Sequence, residues 1–145
     1  MVQFVMQSHV ITGNAAIDAA ERRGWFVGEF ITPTDDPRST SALEVKWGIH
    51  VAGDRRAQWA GPSDSATLSV LISGRFWLQF PDREVLLADL GDYVLWLPEV
   101  SHSWWAEADS VVLTVRWVAE SRERFNRSFN HGCELADNPE FGQNP

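Results

Sequence analysis

The sequence predicts an all-β domain, a closed barrel or sandwich carrying short flanking helices. Two observations lead there. Between residues 66 and 117, β-branched and apolar runs recur at 67–73, 75–80, 84–87, 93–97 and 110–117, with Gly74, Pro81, Asp82, Gly91 and Pro98 at the corners. Five short runs with turn signals between them are the pattern of a barrel or jelly roll. The second observation is the stretch 42–51, which alternates with the period of a strand. Leu43, Val45, Trp47, Ile49 and Val51 share one face, and Glu44, Lys46, Gly48 and His50 share the other.

The elements follow in order. Residues 1–12 begin apolar and predict a first strand or a packed arm. Asn14 is placed to cap a helix over 15–23, and Gly24 to stop it. Its apolar stripe is only Ala16, Ile17 and Ala20, so it persists by packing rather than by propensity. Residues 25–31 read as a strand. Residues 32–41 hold two prolines and two adjacent aspartates and read as a surface loop. Residues 55–65 are polar and irregular. After Trp117 a helix is expected at 120–129, with Phe125 and Phe129 on one face, and then a polar arm to Pro145. No linker interrupts the chain. The expectation is one domain over 1–145, with a barrel core at about 25–117 and a C-terminal helix and arm at 118–145.

The chain has 145 residues, of which 44% are apolar, enough for a core of its own. It carries eight Trp and eight Phe. A small barrel cannot bury all of them, so some indoles are expected at a pocket or an interface. Twenty acidic residues against twelve basic ones give a formal charge of -8, which opposes binding to nucleic acid or anionic membranes. Cys133 is the only cysteine, so no internal disulfide forms and a reducing compartment is expected. With no signal-like leader and no long apolar run, the expectation is a soluble, cytoplasmic protein. Nucleophile elbows, phosphate-cradling glycine loops and paired-cysteine zinc spacings are absent from the sequence.

The barrel segment resembles the cupin superfamily. In the second half, Gly91-Asp92 is followed by an apolar run, Pro98, and His102 eleven positions after the glycine. That is the spacing of the second cupin motif, with the proline one place late and Ala106 where the motif has asparagine. The first motif keeps only its frame. Gly53 is followed after five residues by Trp59-Ala60-Gly61, where the family has His-x-His. Thr67 stands near the family's glutamate, six residues before Gly74. Three of the four usual metal ligands are therefore replaced. The resemblance covers about 42–117. It implies a cupin-like double-stranded β-helix, a jelly-roll barrel, and leaves the activity open, because cupins include enzymes, storage proteins and sensing domains.

His102 and His50 are the candidate catalytic groups, as general acid or base. They are also the pair that an alternative, metal-dependent oxygenase-type cupin would use to hold a divalent transition metal. A metal needs three or four such ligands, so hydrogen-bonded pocket or surface histidines are the competing reading. Lys46, Arg75, Trp77, Gln79, Trp59 and Trp104 are the candidate ligand-binding residues. Cations and amides fix polar groups, and indoles supply flat contact area. For Arg75, Trp77 and Gln79 the competing arrangement has Phe76, Leu78 and Phe80 facing the core instead. The expected function is binding of a small polar or anionic molecule without a cofactor. A metal-independent isomerase, epimerase or cyclase activity stays open, and so does a non-catalytic structural or regulatory role. A homodimer is expected, and Cys133 is expected to be incidental.

Overall fold

The computed structural model describes residues 9–119. The strand or arm expected in 1–12 falls mostly outside that range. The helix at 120–129, Cys133 and the C-terminal arm fall wholly outside it.

The helical region is shorter than its pattern. Asn14 caps α1 (Ala15–Asp18), its Oδ1 accepting the Ile17 N–H at 3.2 Å. The chain then tightens into a 3-10 turn at Ala20–Arg22. Only Ala19 of this region is buried, so little packing supports a longer helix. Arg23 and Gly24 leave with positive φ, and the Gly24 N–H closes on the Ala19 carbonyl at 3.0 Å. A side chain at Gly24 would strike the Trp47 carbonyl, so glycine also allows this corner to lie on the sheet.

Among the described residues, eight strands follow. They are β1 (Trp25–Val27), β2 (Glu44–His50), β3 (Ser65–Ser73), β4 (Phe76–Phe80), β5 (Arg83–Leu87), β6 (Tyr93–Trp96), β7 (Ser103–Ala106) and β8 (Ser110–Val118). One sheet has the order β1-β2-β8-β3-β6, the other β5-β4-β7, and every pairing is antiparallel. This is the two-sheet jelly-roll architecture expected from the sequence. Strand β7 was not expected. Its four residues follow a turn and carry adjacent indoles, so they show no apolar alternation. β1 is shorter than the 25–31 run because the chain bends at Gly28.

The register decides what faces inward. Across the large sheet, Lys46, Thr114 and Ser69 stand side by side, as do Glu44, Arg116 and Thr67. The next inner row is Gly48, Val112 and Leu71. The inner face therefore runs from polar at one end to apolar at the other. Opposite it, β4 turns Phe76, Leu78 and Phe80 inward, each less than a tenth exposed. They join Leu71, Leu87, Val94, Trp96, Ala106 and Val112 in one core. Burying each Val, Leu or Phe of this core contributes about 1.5–3 kcal/mol relative to exposure.

Arg75, Trp77 and Gln79 consequently point outward, against the expectation that they line the barrel interior. Arg75 pairs with Glu107, the Gln79 amide donates to Glu84 at 2.9 Å, and Trp77 stacks on Trp105 at 5.8 Å with the planes 3° apart. Exposing phenylalanine and leucine to water costs more than exposing arginine or glutamine, so the apolar parity takes the interior.

Candidate functional site: a cation-lined cavity

The polar end of the inner face is not filled. A cavity of about 130 Å³ lies between the sheets. Lys46 and His50 reach it from β2, Thr67 and Ser69 from β3, and Thr114 and Arg116 from β8. His102, Trp104 and Arg56 close it from the other side, and Trp25 stands beside it. None of its lining residues is acidic. Lys46, Arg56 and Arg116 thus bring positive charge to one hollow of a chain whose net charge is -8.

The charges are unequally compensated. Arg116 is paired with Glu44, Nε to Oε2 at 2.8 Å. Lys46 has no carboxylate partner among the described residues. Its ammonium lies 5.6 Å from the centre of the Trp25 ring, which the Arg116 guanidinium also faces at 4.8 Å. Burial pushes the Lys46 pKa down, and Arg56, Arg23 and Arg116 push it further the same way. The hydroxyls of Ser69 and Thr114 share a hydrogen bond at 2.9 Å.

The two imidazoles sit among rings. His50 lies 4.4 Å from the centre of Trp104 and 5.0 Å from Phe76, and His102 lies 4.7 Å from Trp96. A Cβ placed on Gly48 would come within 2.8 Å of the His50 Nε2, so this glycine leaves room for the imidazole to fold back along its strand. Burial lowers the pKa of both histidines to about 4, helped by Lys46 at His50 and by Arg56 and Arg116 at His102. Both are neutral at pH 7. The Nδ1 of His102 is buried and has no hydrogen-bond partner among the described residues.

Of the candidates named from sequence, Lys46, His50, His102 and Trp104 come together here. Trp59 does not line the cavity and is half exposed, while Arg75, Trp77 and Gln79 are on the outer side. Sequence reasoning missed Arg116, Arg56 and Trp25. Arg116 had a signal, since Thr114 and Arg116 share one parity within an otherwise apolar strand. Arg56 lies in an irregular segment and had none.

Solved structures share this architecture. A cupin protein from Bacteroides fragilis superposes with a TM-score of 0.51 at 19% identity, covering 57% of this chain and 71% of that one. A cupin superfamily protein from Desulfitobacterium hafniense gives 0.51 at 12% identity, covering 55% and 71%. This is a cupin fold. No protein-family model matches the sequence, and no curated protein does either. Among the described residues no helix is long and apolar enough to cross a membrane.

The cupin frame allows a test of the metal alternative. Thr67 and His102 face the cavity, as a ligating glutamate and histidine would. Between Trp59 and Gly61 it is Ala60 that lines the cavity, so the first motif's pair is replaced and also turned away. Among the described residues no three His, Cys, Asp or Glu side chains converge to hold an ion. Two neutral imidazoles facing a lysine and two arginines are a poor donor set for a divalent cation. The residues of this cupin cavity do not fit a metal.

Proposed function

We propose that this cupin-fold protein binds a small organic anion, a carboxylate-bearing molecule, in its barrel cavity and without a metal. The observation that carries the reading is the positive lining: Lys46, Arg56 and Arg116 around a hollow with no acidic residue of its own. A carboxylate entering there supplies the counter-charge that Lys46 lacks and finds the hydroxyls of Thr67, Ser69 and Thr114 beside it. If chemistry follows binding, it belongs to His50 and His102. Both imidazoles are unprotonated at neutral pH and so available as proton acceptors. A bound carboxylate would raise their pKa, and the cations beside them favour the enolate or oxyanion that results. Isomerisation, epimerisation or cyclisation suits such a set.

Calorimetric titration with a panel of small carboxylates tests the reading. Lys46→Met is expected to weaken binding about tenfold or more, the range for losing a charged hydrogen bond. Arg75→Ala, on the outer face, is expected to leave it within about twofold. Chelator is expected to change neither value. Equal losses in the two variants, or binding that disappears with chelator, would remove the case for a fixed-charge site.

We also infer that the partner of the large sheet is a second copy of this chain. Its outer face leaves Ile49 60%, Tyr93 67% and Leu95 41% exposed. Runs of apolar side chains on one open face favour self-association.

A further inference from the structure

A second hollow adjoins the cavity. Residues 53–60 run beside β7 as an extra, irregular edge, with Arg55 bridged to Trp105 and Ala60 bridged to His102. Between those bridges four residues, 56–59, stand opposite two, Ser103 and Trp104. The Arg56 N–H bonds to the Trp104 carbonyl at 3.0 Å, and Ala60 exchanges bonds with His102 at 2.8 and 3.3 Å. Among the described residues, Ala57, Gln58 and Trp59 make no backbone hydrogen bond to β7. The surplus of chain arches away from the sheet, as bulged residues do.

A groove of about 350 Å³ opens under this arch. Trp59 and Trp105 supply its flat surfaces, and Arg55, Gln79 and Ser103 its polar rim. Arg56 and Trp104 line both the groove and the inner cavity, so the two hollows share a wall. Trp105 is braced from the side by its parallel stack on Trp77, and Trp104 by His50 and Phe76. Trp104 and Trp105 are therefore fixed before any ligand arrives, which lowers the ordering cost of binding.

We infer that the bound anion is bipartite: its carboxylate enters the cavity, and a flat ring attached by a short linker lies in the groove against Trp59 and Trp105. The inference rests on the anion reading above and adds the chemical class of the rest of the ligand. Indole faces favour a planar ring through offset stacking and area burial. The Arg56 side chain, bonded through Nε to the Gln58 carbonyl at 2.8 Å, stands where carboxylate and ring would join. Trp59 occupies a position that the cupin frame gives to a metal-binding histidine. Here it has become part of an outer wall.

The experiment compares butyrate, hexanoate and 4-phenylbutyrate by calorimetric titration against the full chain, its Trp59→Ala and Trp59→Phe variants, and Lys46→Met. Phenylbutyrate is expected to bind about tenfold tighter than butyrate. Trp59→Ala is expected to erase that gain while leaving butyrate unchanged, and Trp59→Phe to retain most of it. Lys46→Met is expected to weaken both ligands alike. Trp59 is half exposed, so its removal leaves the core untouched, and circular dichroism checks this. Equal affinity for butyrate and phenylbutyrate overturns the inference but spares the anion reading. A gain from hexanoate as large as that from phenylbutyrate also overturns it, since the groove would then respond to bulk and not to flatness. Binding of none of the three at millimolar concentration overturns both readings.

Discussion

His50 and His102 show how surroundings, more than residue type, set the chemistry of a side chain. Both are pushed down to about 4, mainly because their charged forms are poorly solvated between the sheets. An unfolded histidine titrates at about 6.5. Between those two values the unfolded chain binds more protons than the folded one, so acid favours unfolding. The stability these groups contribute is complete above about pH 6.5 and is lost as the pH falls toward about 4. Thermal melts are expected to show a falling midpoint that begins above pH 5, before most carboxylates titrate, and a shallower fall in His50→Asn. A midpoint flat from pH 7 to about 5 would mean that the imidazoles are open to water. Asp36 is also lowered, to about 2, by its hydrogen bonds to Arg38. Its contribution is lost only as the pH falls below the ordinary carboxylate range, so it adds little to this window.

Gly74 joins β3 to β4 and so carries the chain from one sheet to the other. Its φ is +99°, and an added Cβ would fall on the Asp109 carbonyl and the Ser110 Oγ. That hydroxyl accepts the Arg75 N–H at 3.1 Å and shares its single proton between the Ala108 and Arg75 carbonyls, tying the corner to the start of β8. Gly74→Ala therefore combines a strained backbone with a backbone collision. It is expected to cost about 2 kcal/mol or more in chemical denaturation. The same substitution at Gly53, where a Cβ meets nothing within 4 Å, pays only for its positive φ. A smaller loss at Gly74 than at Gly53 would refute this account of the corner. The loop between β5 and β6 is held differently, by the Asp92 carboxylate accepting the Ala88 and Asp89 N–H groups at 3.0 and 2.9 Å, which lowers its pKa.

The molecule as a whole separates its two kinds of surface by sheet face. The inner face of the large sheet grades from the cation-lined hollow to the packed core, and the outer face is broadly apolar. If that outer face joins two copies, light scattering is expected to give a dimer in the micromolar range. Placing charge at Ile49 and Leu95, as I49D together with L95K, is expected to give a soluble monomer with unchanged anion affinity. A wild-type monomer at those concentrations would contradict the dimer. Loss of anion binding in the monomeric variant would instead mean that the partner helps to shape the cavity.

The strand pattern was legible because alternation and turn residues are local. Lys46, Gly48 and His50 could be assigned to one face from their spacing alone, and that face is the inner one. The parity of β4 was not decidable in the same way. Both of its faces carry aromatic side chains, and only packing against Leu71, Leu87 and Val112 chose the Phe76, Leu78 and Phe80 face for the interior. β7 escaped notice because four residues with indoles on both sides have no periodicity to read. The cavity itself belongs to the tertiary structure. Arg116 reaches it through the register that sets β8 between β2 and β3, and Arg56 through an arch with no pattern of its own. Sequence periodicity says which side chains share a face. Which faces meet, and where a gap remains between them, depends on contacts between residues far apart in the chain.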